Sequence, residues 1–317
     1  MIIKTGARAA TPKAETPPVV VSKTFTEPKP TKVTAKPVPR VIKPNHDYDG
    51  MTNAEYHGAK EWFGSTSLKT LALKTPAHYK HESENHVFKD AWNIGTAAHS
   101  LILEGDTTNI VVLEYPNYTT KAAKEAKAAA IAENKQPLLT KEWVEVQAMH
   151  KSVMDHPVAS KLFTGHIPER SFFWEEDGMK FKCRPDALHP NMIVDLKTTV
   201  DANPDDFGKT AFNYGYFVSA AHYRNGVQAV NGGEKLPFVF VNVEKTAPYL
   251  VSVTELDEDA LDFGQQMIDR GSRIYKECAE SGNWPGYPNH TTTRLPDWAY
   301  WQLEELEDKQ IVFGKEK

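Results

Sequence analysis

The sequence predicts an α/β fold in which a mixed central β-sheet is flanked by helices. Alternating or continuous apolar runs of strand length occur between residues 169 and 253, and helical patterns precede, interrupt and follow them. Helices, a group of strands, a helix, two strands and a final helix in this order indicate a sheet covered by helices. The 317 residues are 40% hydrophobic and 25% charged, which is typical of a globular protein able to bury a sizeable core.

Composition excludes several classes of protein. No run of about 18 apolar residues is present, so no transmembrane span and no membrane partner are expected. The N-terminus lacks the apolar segment of a secretory signal. Two cysteines, Cys183 and Cys278, can build neither a disulfide framework nor a four-cysteine metal or iron–sulfur site. A reducing cytoplasm is therefore the expected compartment.

Residues 1–46 differ in composition from the rest of the chain. They contain eight prolines, nine Lys or Arg and two Glu, a net charge of +7 that leaves −12 for the remainder. We predict a disordered, basic arm rich in Pro, Lys and Thr over residues 1–46, and a folded domain over residues 47–317. The arm is either a solubilising extension or a basic tether to DNA or to a partner. The acidic remainder argues against a generic nucleic-acid binder.

Two helices with candidate functional residues are predicted in the N-terminal part of the folded domain. The first covers residues 65–73, with hydroxyl caps from Ser65 and Ser67, and stops before Pro76. Its N-terminus could also hold a DNA phosphate. The second covers residues 91–105, where Gly105 is a natural terminator. His99 lies beside its apolar face, either as a core histidine or as a ligand, depending on whether it points at the acids described below.

Further elements follow in order. The predictions, by residue number, are helices at 121–134 and from 140 towards 157, a three-stranded meander from 169 to 197, a helical segment at 204–223, paired strands at 236–244 and 249–253, and a long amphipathic helix at 256–281.

The centre of the sequence is the stretch from Arg184 to Thr199, which predicts two strands around a turn at residues 189–191. Pro190 cannot take a positive φ, so a loop slightly longer than the tightest hairpin turn is expected. Reflection about the turn places Asp186 opposite, or nearly opposite, Asp195. Lys197 projects from the same strand face as Asp195 because side chains alternate along a strand.

Two opposed carboxylates are an unusual arrangement. Directly opposed Cβ atoms in an antiparallel pair are roughly 4.5–5.5 Å apart. Carboxylates at that distance repel each other unless a proton or a cation lies between them. Two acids and one lysine on one face therefore indicate a hard-cation site with an ammonium beside it, although ordinary surface charges on a solvated hairpin would give the same pattern.

Motifs elsewhere in the chain favour the cation site over ordinary surface charges. Over residues 47–300 the chain resembles the RecE-type, exodeoxyribonuclease VIII-like exonucleases of the PDDEXK (restriction-endonuclease-like) nuclease superfamily. The motifs that carry the resemblance are Tyr48-Asp49-Gly50-Met51, Glu55-Tyr56, Ser65-Thr66-Ser67-Leu68-Lys69, Pro76-Ala77-His78-Tyr79, Gly95-Thr96-Ala97-Ala98-His99, Arg184-Pro185-Asp186, Asp195-Leu196-Lys197-Thr198-Thr199, Trp284-Pro285-Gly286-Tyr287 and Leu295-Pro296-Asp297-Trp298-Ala299.

The resemblance implies a PDDEXK core and assigns roles to residues. Asp186, Asp195 and Lys197 would be catalytic, and Lys197 would orient or help deprotonate the attacking water. Mg²⁺ or Mn²⁺ would be held by His99, Asp186, Asp195 and the backbone carbonyl of Leu196, and Glu169 would play a supporting role. Carboxylates suit such a hard ion. The implied DNA-binding residues are Ser65, Ser67, Arg184, Ser219 and Tyr223.

One position departs from the family pattern. These nucleases commonly carry Gln followed four residues later by Tyr on the helix after the Asp-x-Lys strand. Tyr223 fits, but Ser219 stands where Gln is expected. A serine hydroxyl can bond to phosphate or water with a shorter reach, so the DNA-positioning role of this helix is in doubt.

The activity implied by the resemblance is metal-dependent hydrolysis of linear double-stranded DNA, 5′→3′, which leaves single-stranded overhangs for recombination. The implied context is a phage or prophage system in the cytoplasm of a bacterial host, with DNA ends and a single-strand annealing recombinase as partners and a homo-oligomeric ring as the assembly. Two alternatives stay open: a catalytically weak DNA-binding module that bridges DNA to a recombination partner, and an endonuclease of the same superfamily.

Overall fold

The computed structural model describes residues 40–85 and 94–308. The predicted arm lies outside the described residues up to position 39, and so do residues 91–93 of the second predicted helix. Residues 40–46 are described, and Ile42 packs against a small cluster that contains Met51, Tyr56 and Trp62. None of the helices in the described ranges is both long enough and apolar enough to span a membrane.

Ten strands form three sheets within the described residues. In chain order they are β1 His46–Tyr48, β2 Ile110–Leu113, β3 Gln136–Leu139, β4 Ile167–Pro168, β5 Ser171–Glu176, β6 Met179–Cys183, β7 Ala187–His189, β8 Met192–Thr199, β9 Phe238–Glu244 and β10 Val251–Glu255.

Eleven helices accompany them in the same part of the chain. They are α1 Asn53–Gly58, α2 Ser65–Leu73, α3 Pro76–Asn85, α4 Ile94–Glu104, α5 Lys121–Ala132, α6 Thr140–Asp155, α7 Ala159–Leu162, α8 Phe207–Tyr214, α9 Tyr216–Asn231, α10 Glu258–Ser281 and α11 Asp297–Asp308.

The main sheet has five strands in the order β10-β9-β8-β7-β4. The pair β8–β9 is parallel and the other pairs are antiparallel, so the sheet is mixed. One hydrophobic cluster joins it to α2, α9 and α10, and a second joins it to α4 and α6. Helices therefore flank a mixed central sheet, and the predicted α/β fold class is confirmed.

The predicted meander is wrong. Strands β5 and β6 pair with each other and with β1 in a separate three-stranded sheet, and β7 pairs with β8 in the main sheet. Residues 184–186 cross between the two sheets. The short parallel pair β2–β3 was not predicted, because its two strands are separated by α5 and only their pairing distinguishes them from loops.

The turn of the β7–β8 hairpin is tighter than predicted. His189 pairs with Met192, which leaves only Pro190 and Asn191 in the loop, and neither has a positive φ. The mirror-image hairpin turns that exclude proline are therefore not used. A fixed φ near −65° suits the first central position of an ordinary turn, so Pro190 is accommodated there.

The predicted hydroxyl cap of α2 is also wrong. Gly64 is the N-cap and makes no side-chain capping hydrogen bond. The Ser65 hydroxyl instead accepts a hydrogen bond from the Ser219 hydroxyl of α9 at 3.4 Å. Pro76 both follows the end of α2 and begins α3, as expected for a residue that is tolerated in the first turn of a helix.

Candidate active site

The acid pair is positioned by the register of the β7–β8 hairpin. Ala187 pairs with Val194, so Asp186 falls opposite Asp195 when the register is continued by one residue. Asp186 directly precedes the first residue of β7, and the Leu196 N–H of β8 donates to Asp186 Oδ2 at 2.7 Å. The main chain of β8 thus fixes the orientation of the first carboxylate.

Asp195 and Lys197 lie on the face of β8 that is directed at α9. Asp195 is only 2% exposed, and the Lys197 ammonium contacts its Oδ2 atom. The same ammonium lies 5.0 Å from the centre of the Tyr216 ring. Burial lowers the pKa of Lys197, but the carboxylates of Asp195 and Asp186 raise it more, so its pKa is above the ordinary value. Lys197 is therefore protonated at neutral pH.

His99 reaches the acids from α4. Its Nδ1 atom is 3.8 Å from Asp186 Oδ2, so the ring points at the hairpin acids. Burial and the Lys197 ammonium lower the pKa of His99 to about 4, against the opposing effects of Asp195 and of a hydrogen bond to the Leu196 backbone. At neutral pH the imidazole is uncharged, which is the form that binds metal ions.

The environment of Asp186 favours its protonated form. Burial and the charge of Asp195 raise the pKa of Asp186 well above its usual range, and Glu169 adds to this, whereas Lys197 and the Leu196 N–H oppose it. Negative charge is thus concentrated beyond what one ammonium offsets. An additional cation would be favoured here.

The donor set fits a divalent cation in its chemistry. Asp195 Oδ2 is buried, and the Lys197 ammonium lies against it as an ion pair. Two carboxylates and a neutral imidazole are ligands that Mg²⁺ or Mn²⁺ accepts. As the side chains stand, however, no three His, Cys, Asp or Glu side chains of the described ranges are placed to hold a metal ion. A metal would have to compete with Lys197 for Asp195.

Glu169 lies next to the acid pair in a strained backbone conformation. Its φ is +50°, and its N–H donates to the Asp186 carbonyl at 3.1 Å. Burial raises the pKa of Glu169 to about 7; the Arg184 guanidinium opposes this, while Glu104 and Asp195 add to it. Its side chain lines a cleft of about 690 Å³ whose wall also includes His99, Glu104 and Arg184. The supporting role predicted for Glu169 is compatible with this position.

Arg184 is held by the protein itself. Its guanidinium donates to Ser171 Oγ and Asn53 Oδ1 at 2.8 Å each and to the Met51 carbonyl at 2.9 Å. It also lies 4.2 Å from the centre of the Tyr56 ring. The residue is 7% exposed. These contacts give Arg184 a structural role in joining the two sheets to the α1 region, and its contact with DNA stays a prediction.

One face of α9 is directed at the site. Tyr216, Ser219 and Tyr223 share it because they are three and four residues apart. Ser219 is buried against Ser65 of α2, so its hydroxyl is engaged between helices. Burial, then Tyr56 and the two site aspartates, raises the pKa of Tyr223 far above its usual range, so its hydroxyl stays protonated and can donate. Ser67 of α2 is half-buried.

Sequence reasoning missed Lys69. It follows Ser65 by one helical turn on α2, and its ammonium lies 5.8 Å from the centre of the Tyr216 ring, which also faces Lys197. Burial and the Lys197 charge lower the pKa of Lys69 to about 8, against the opposing charge of Asp195. The four-residue spacing of Ser65 and Lys69 was the signal that could have identified it.

Comparisons with known proteins agree with this architecture. Residues 64–293 match the model of a family described as a PDDEXK-like domain of unknown function (DUF3799). Among solved structures, the chain matches a crystal structure of an Eubacterium rectale protein named as a candidate exonuclease, with a TM-score of 0.55 and 17% identity over 79% of this chain and 97% of that chain. At this identity the likeness shows a shared fold. None of the curated proteins compared with the chain matches it.

Proposed function

The chain belongs to the PDDEXK-like family that matches its residues 64–293, and from this premise we propose that it is a metal-dependent deoxyribonuclease. The observation that carries the proposal is the opposition of Asp186 and Asp195 across the end of the hairpin, with Lys197 on the same strand face and His99 directed at the pair. Phosphodiester hydrolysis needs neutralisation of the phosphate and a placed proton acceptor.

Asp186, Asp195, His99 and the Leu196 carbonyl are the residues that would hold Mg²⁺ or Mn²⁺. Such an ion supplies a Lewis acid for the phosphate and lowers the pKa of water. The burial of the Asp195 carboxylate next to that of Asp186, and the raised pKa of Asp186, support a cation at this place.

The protein's own groups divide the remaining work. The Asp195 and Asp186 carboxylates keep the Lys197 ammonium charged. This ammonium donates hydrogen bonds to the scissile phosphate and orients the attacking water. The Leu196 N–H holds the Asp186 carboxylate in one orientation. The protonated hydroxyl of Tyr223 supplies a further donor beside the two acids.

The finer proposal is an exonuclease that digests linear double-stranded DNA 5′→3′ and leaves overhangs for recombination. It is supported by the family resemblance of the motifs and by a fold shared with a protein named as a candidate exonuclease. We extend it to a homo-oligomeric ring with a single-strand annealing recombinase as partner in the bacterial cytoplasm. A ring can enclose a basic channel while its exterior stays acidic, which accommodates the net charge of −5.

The test is digestion of a linear, 5′-labelled duplex beside a covalently closed circle, each with Mg²⁺ and with EDTA. Loss of the linear duplex alone, with early release of short labelled products, is the expected result. Cleavage of the circle would show that the protein is an endonuclease with the same chemistry and not an exonuclease. DNA binding without metal-dependent loss of either substrate would show that the protein is a DNA-binding module and not a nuclease. The hydroxyl of Ser219, which is engaged with Ser65, favours this alternative.

A further inference from the structure

Lys69 belongs to a seam between α2 and α9 that ends at the candidate active site. Ser65 and Lys69 form the α2 side, one helical turn apart, and Tyr216 and Ser219 form the α9 side. The two serines contact each other in the buried part of the seam. Lys69 and Tyr216 lie at the half-buried end, where Lys197 of β8 also reaches the Tyr216 ring.

The stem of Lys69 is fixed by the backbone at the start of α9. Gly215 has a φ of +63°, and a Cβ added to it would lie 3.1 Å from Lys69 Cδ and 3.3 Å from Lys69 Cγ. The methylene groups therefore pass directly over a glycine, and the ammonium is carried forward to the ring of Tyr216. A long side chain that is packed along its stem loses little further entropy when its head binds a ligand.

Other lysines of this region are engaged by protein oxygen atoms, whereas the Lys69 ammonium contacts the ring of Tyr216. Lys182 donates to the carbonyls of Tyr56 and Ala59, and Lys74 pairs with Glu82 at 3.2 Å. Within the described ranges, Lys69 forms no ion pair and donates no hydrogen bond to the protein. The Lys197 ammonium approaches the same Tyr216 ring, and its charge contributes to the lowered pKa of Lys69.

The two neighbouring ammonium groups repel each other, and the Asp195 carboxylate, which pairs with Lys197, offsets this repulsion only in part at Lys69. An anion beside them would offset it further. In a DNA strand the phosphates follow one another closely, so a cation next to Lys197 is placed for the phosphate adjacent to the scissile one. Tyr214 extends this surface, since it is 65% exposed and its ring stacks on Tyr216 at 5.6 Å. Exposed aromatic rings beside basic groups accept nucleotide bases.

We propose that Lys69 is a phosphate-binding residue that holds the DNA backbone one nucleotide from the bond that is cut, with Tyr216 as the ring that places its ammonium beside Lys197. This inference rests on the proposed nuclease function. The Lys69 ammonium contacts substrate and does not take part in bond breaking, so it sets the affinity for DNA and the register of the strand.

The test is the salt dependence of duplex binding, measured by fluorescence anisotropy in EDTA so that cleavage does not interfere. Lys69→Met keeps the packed stem and removes the charge. One phosphate contact fewer makes the slope of log K against log salt shallower by about 0.9 and raises the Kd roughly threefold to tenfold. Lys69→Arg should retain the slope of the wild type. Lys74→Met, which removes a lysine paired with Glu82, is the matched control and should leave the slope unchanged.

Failure of this inference and failure of the proposed function give different results. A wild type that binds and cleaves DNA, with an unchanged salt slope in Lys69→Met, would reduce Lys69 to a packing residue. A wild type that neither binds nor cleaves DNA would overturn the nuclease itself. If Lys69→Met does not fold, by circular dichroism, Lys69→Gln replaces it with the same expected slope.

Discussion

At the scale of single residues, Asp195 combines deep burial with an ion pair to the Lys197 ammonium. Asp195→Asn keeps the shape of the side chain but removes the charge. We expect metal-dependent cleavage to fall by at least ~100-fold, because both the cation site and the partner of Lys197 are lost. The rise in melting temperature on adding Mg²⁺ should disappear as well, which differential scanning calorimetry measures without any substrate.

The matched control for that change is Asp262→Asn, at an exposed position on α10. It should keep both the cleavage rate and the stabilisation by Mg²⁺. Full activity in Asp195→Asn would contradict the assignment of the active site. The calorimeter also shows whether Asp195→Asn is folded, so a loss of cleavage by a folded variant can be distinguished from a loss caused by unfolding.

Glu169 makes the stability of the fold depend on pH. Burial raises the pKa of Glu169 to about 7 in the folded protein. The protonated carboxyl therefore stabilises the folded state relative to the unfolded chain, in which the pKa is lower. This stabilisation is complete below the unfolded pKa and is lost as the pH rises through about 7. Glu169→Gln should remove this loss. Because 34% of the side chain is exposed, solvent screening limits the effect to ~1 kcal/mol between pH 5 and 8.

Urea denaturation in EDTA at the two pH values measures the difference. The wild type should lose more unfolding free energy on going to pH 8 than Glu169→Gln does. Glu133→Gln, exposed at the end of α5, should behave like the wild type. An identical pH dependence in wild type and Glu169→Gln would show that the carboxyl is ionised throughout.

At the scale of elements, α9 and α10 approach so closely that no side chain fits between them at Gly264. A Cβ there would lie 2.3 Å from the Phe217 carbonyl oxygen and 2.8 Å from its carbon, which are backbone atoms that cannot rotate away. Gly264→Ala should therefore destabilise the fold by ~2–3 kcal/mol, although alanine favours helices. Gly208 of α8 has open space around it, so Gly208→Ala should stay within ~0.5 kcal/mol of the wild type.

Chemical denaturation of the two alanine variants checks this expectation. Because α9 also carries Tyr216 towards the site, a shift of α9 away from α10 should lower the affinity for DNA in Gly264→Ala as well. Equal stability of the two variants would mean that the helices can separate at little cost.

At the scale of the whole molecule, the sequence predicted what depends on neighbouring residues. The opposition of Asp186 and Asp195 follows from pairing across a short turn, and alternation along one strand places Lys197 beside them. The position of His99 beside the acids followed only from the family resemblance and not from local patterns, because α4 is brought to β8 by contacts distant in the chain. The separate sheet of β1, β5 and β6 was missed for the same reason.

The burial of individual polar side chains also could not be predicted from local sequence patterns. Arg184 and Ser219 are polar residues in motifs, and both were predicted to contact DNA. The structure surrounds Arg184 with four acceptors and sets Ser219 against Ser65. Conversely, Lys69 stood in a motif of the sequence without a role, since only the position of α9 shows that its ammonium lies beside the site.

The two-residue turn between β7 and β8 has a consequence for how the protein assembles. Asp186 and Asp195 are nine positions apart, so their contact has a low sequence separation and can form on the ~1–10 μs timescale of a hairpin. His99 and Lys69 come from much earlier in the chain and join only when loops of far greater length have closed. We expect the mutually repelling acids to meet early, with Lys197 as their counterion, and the histidine to complete the site when α4 docks.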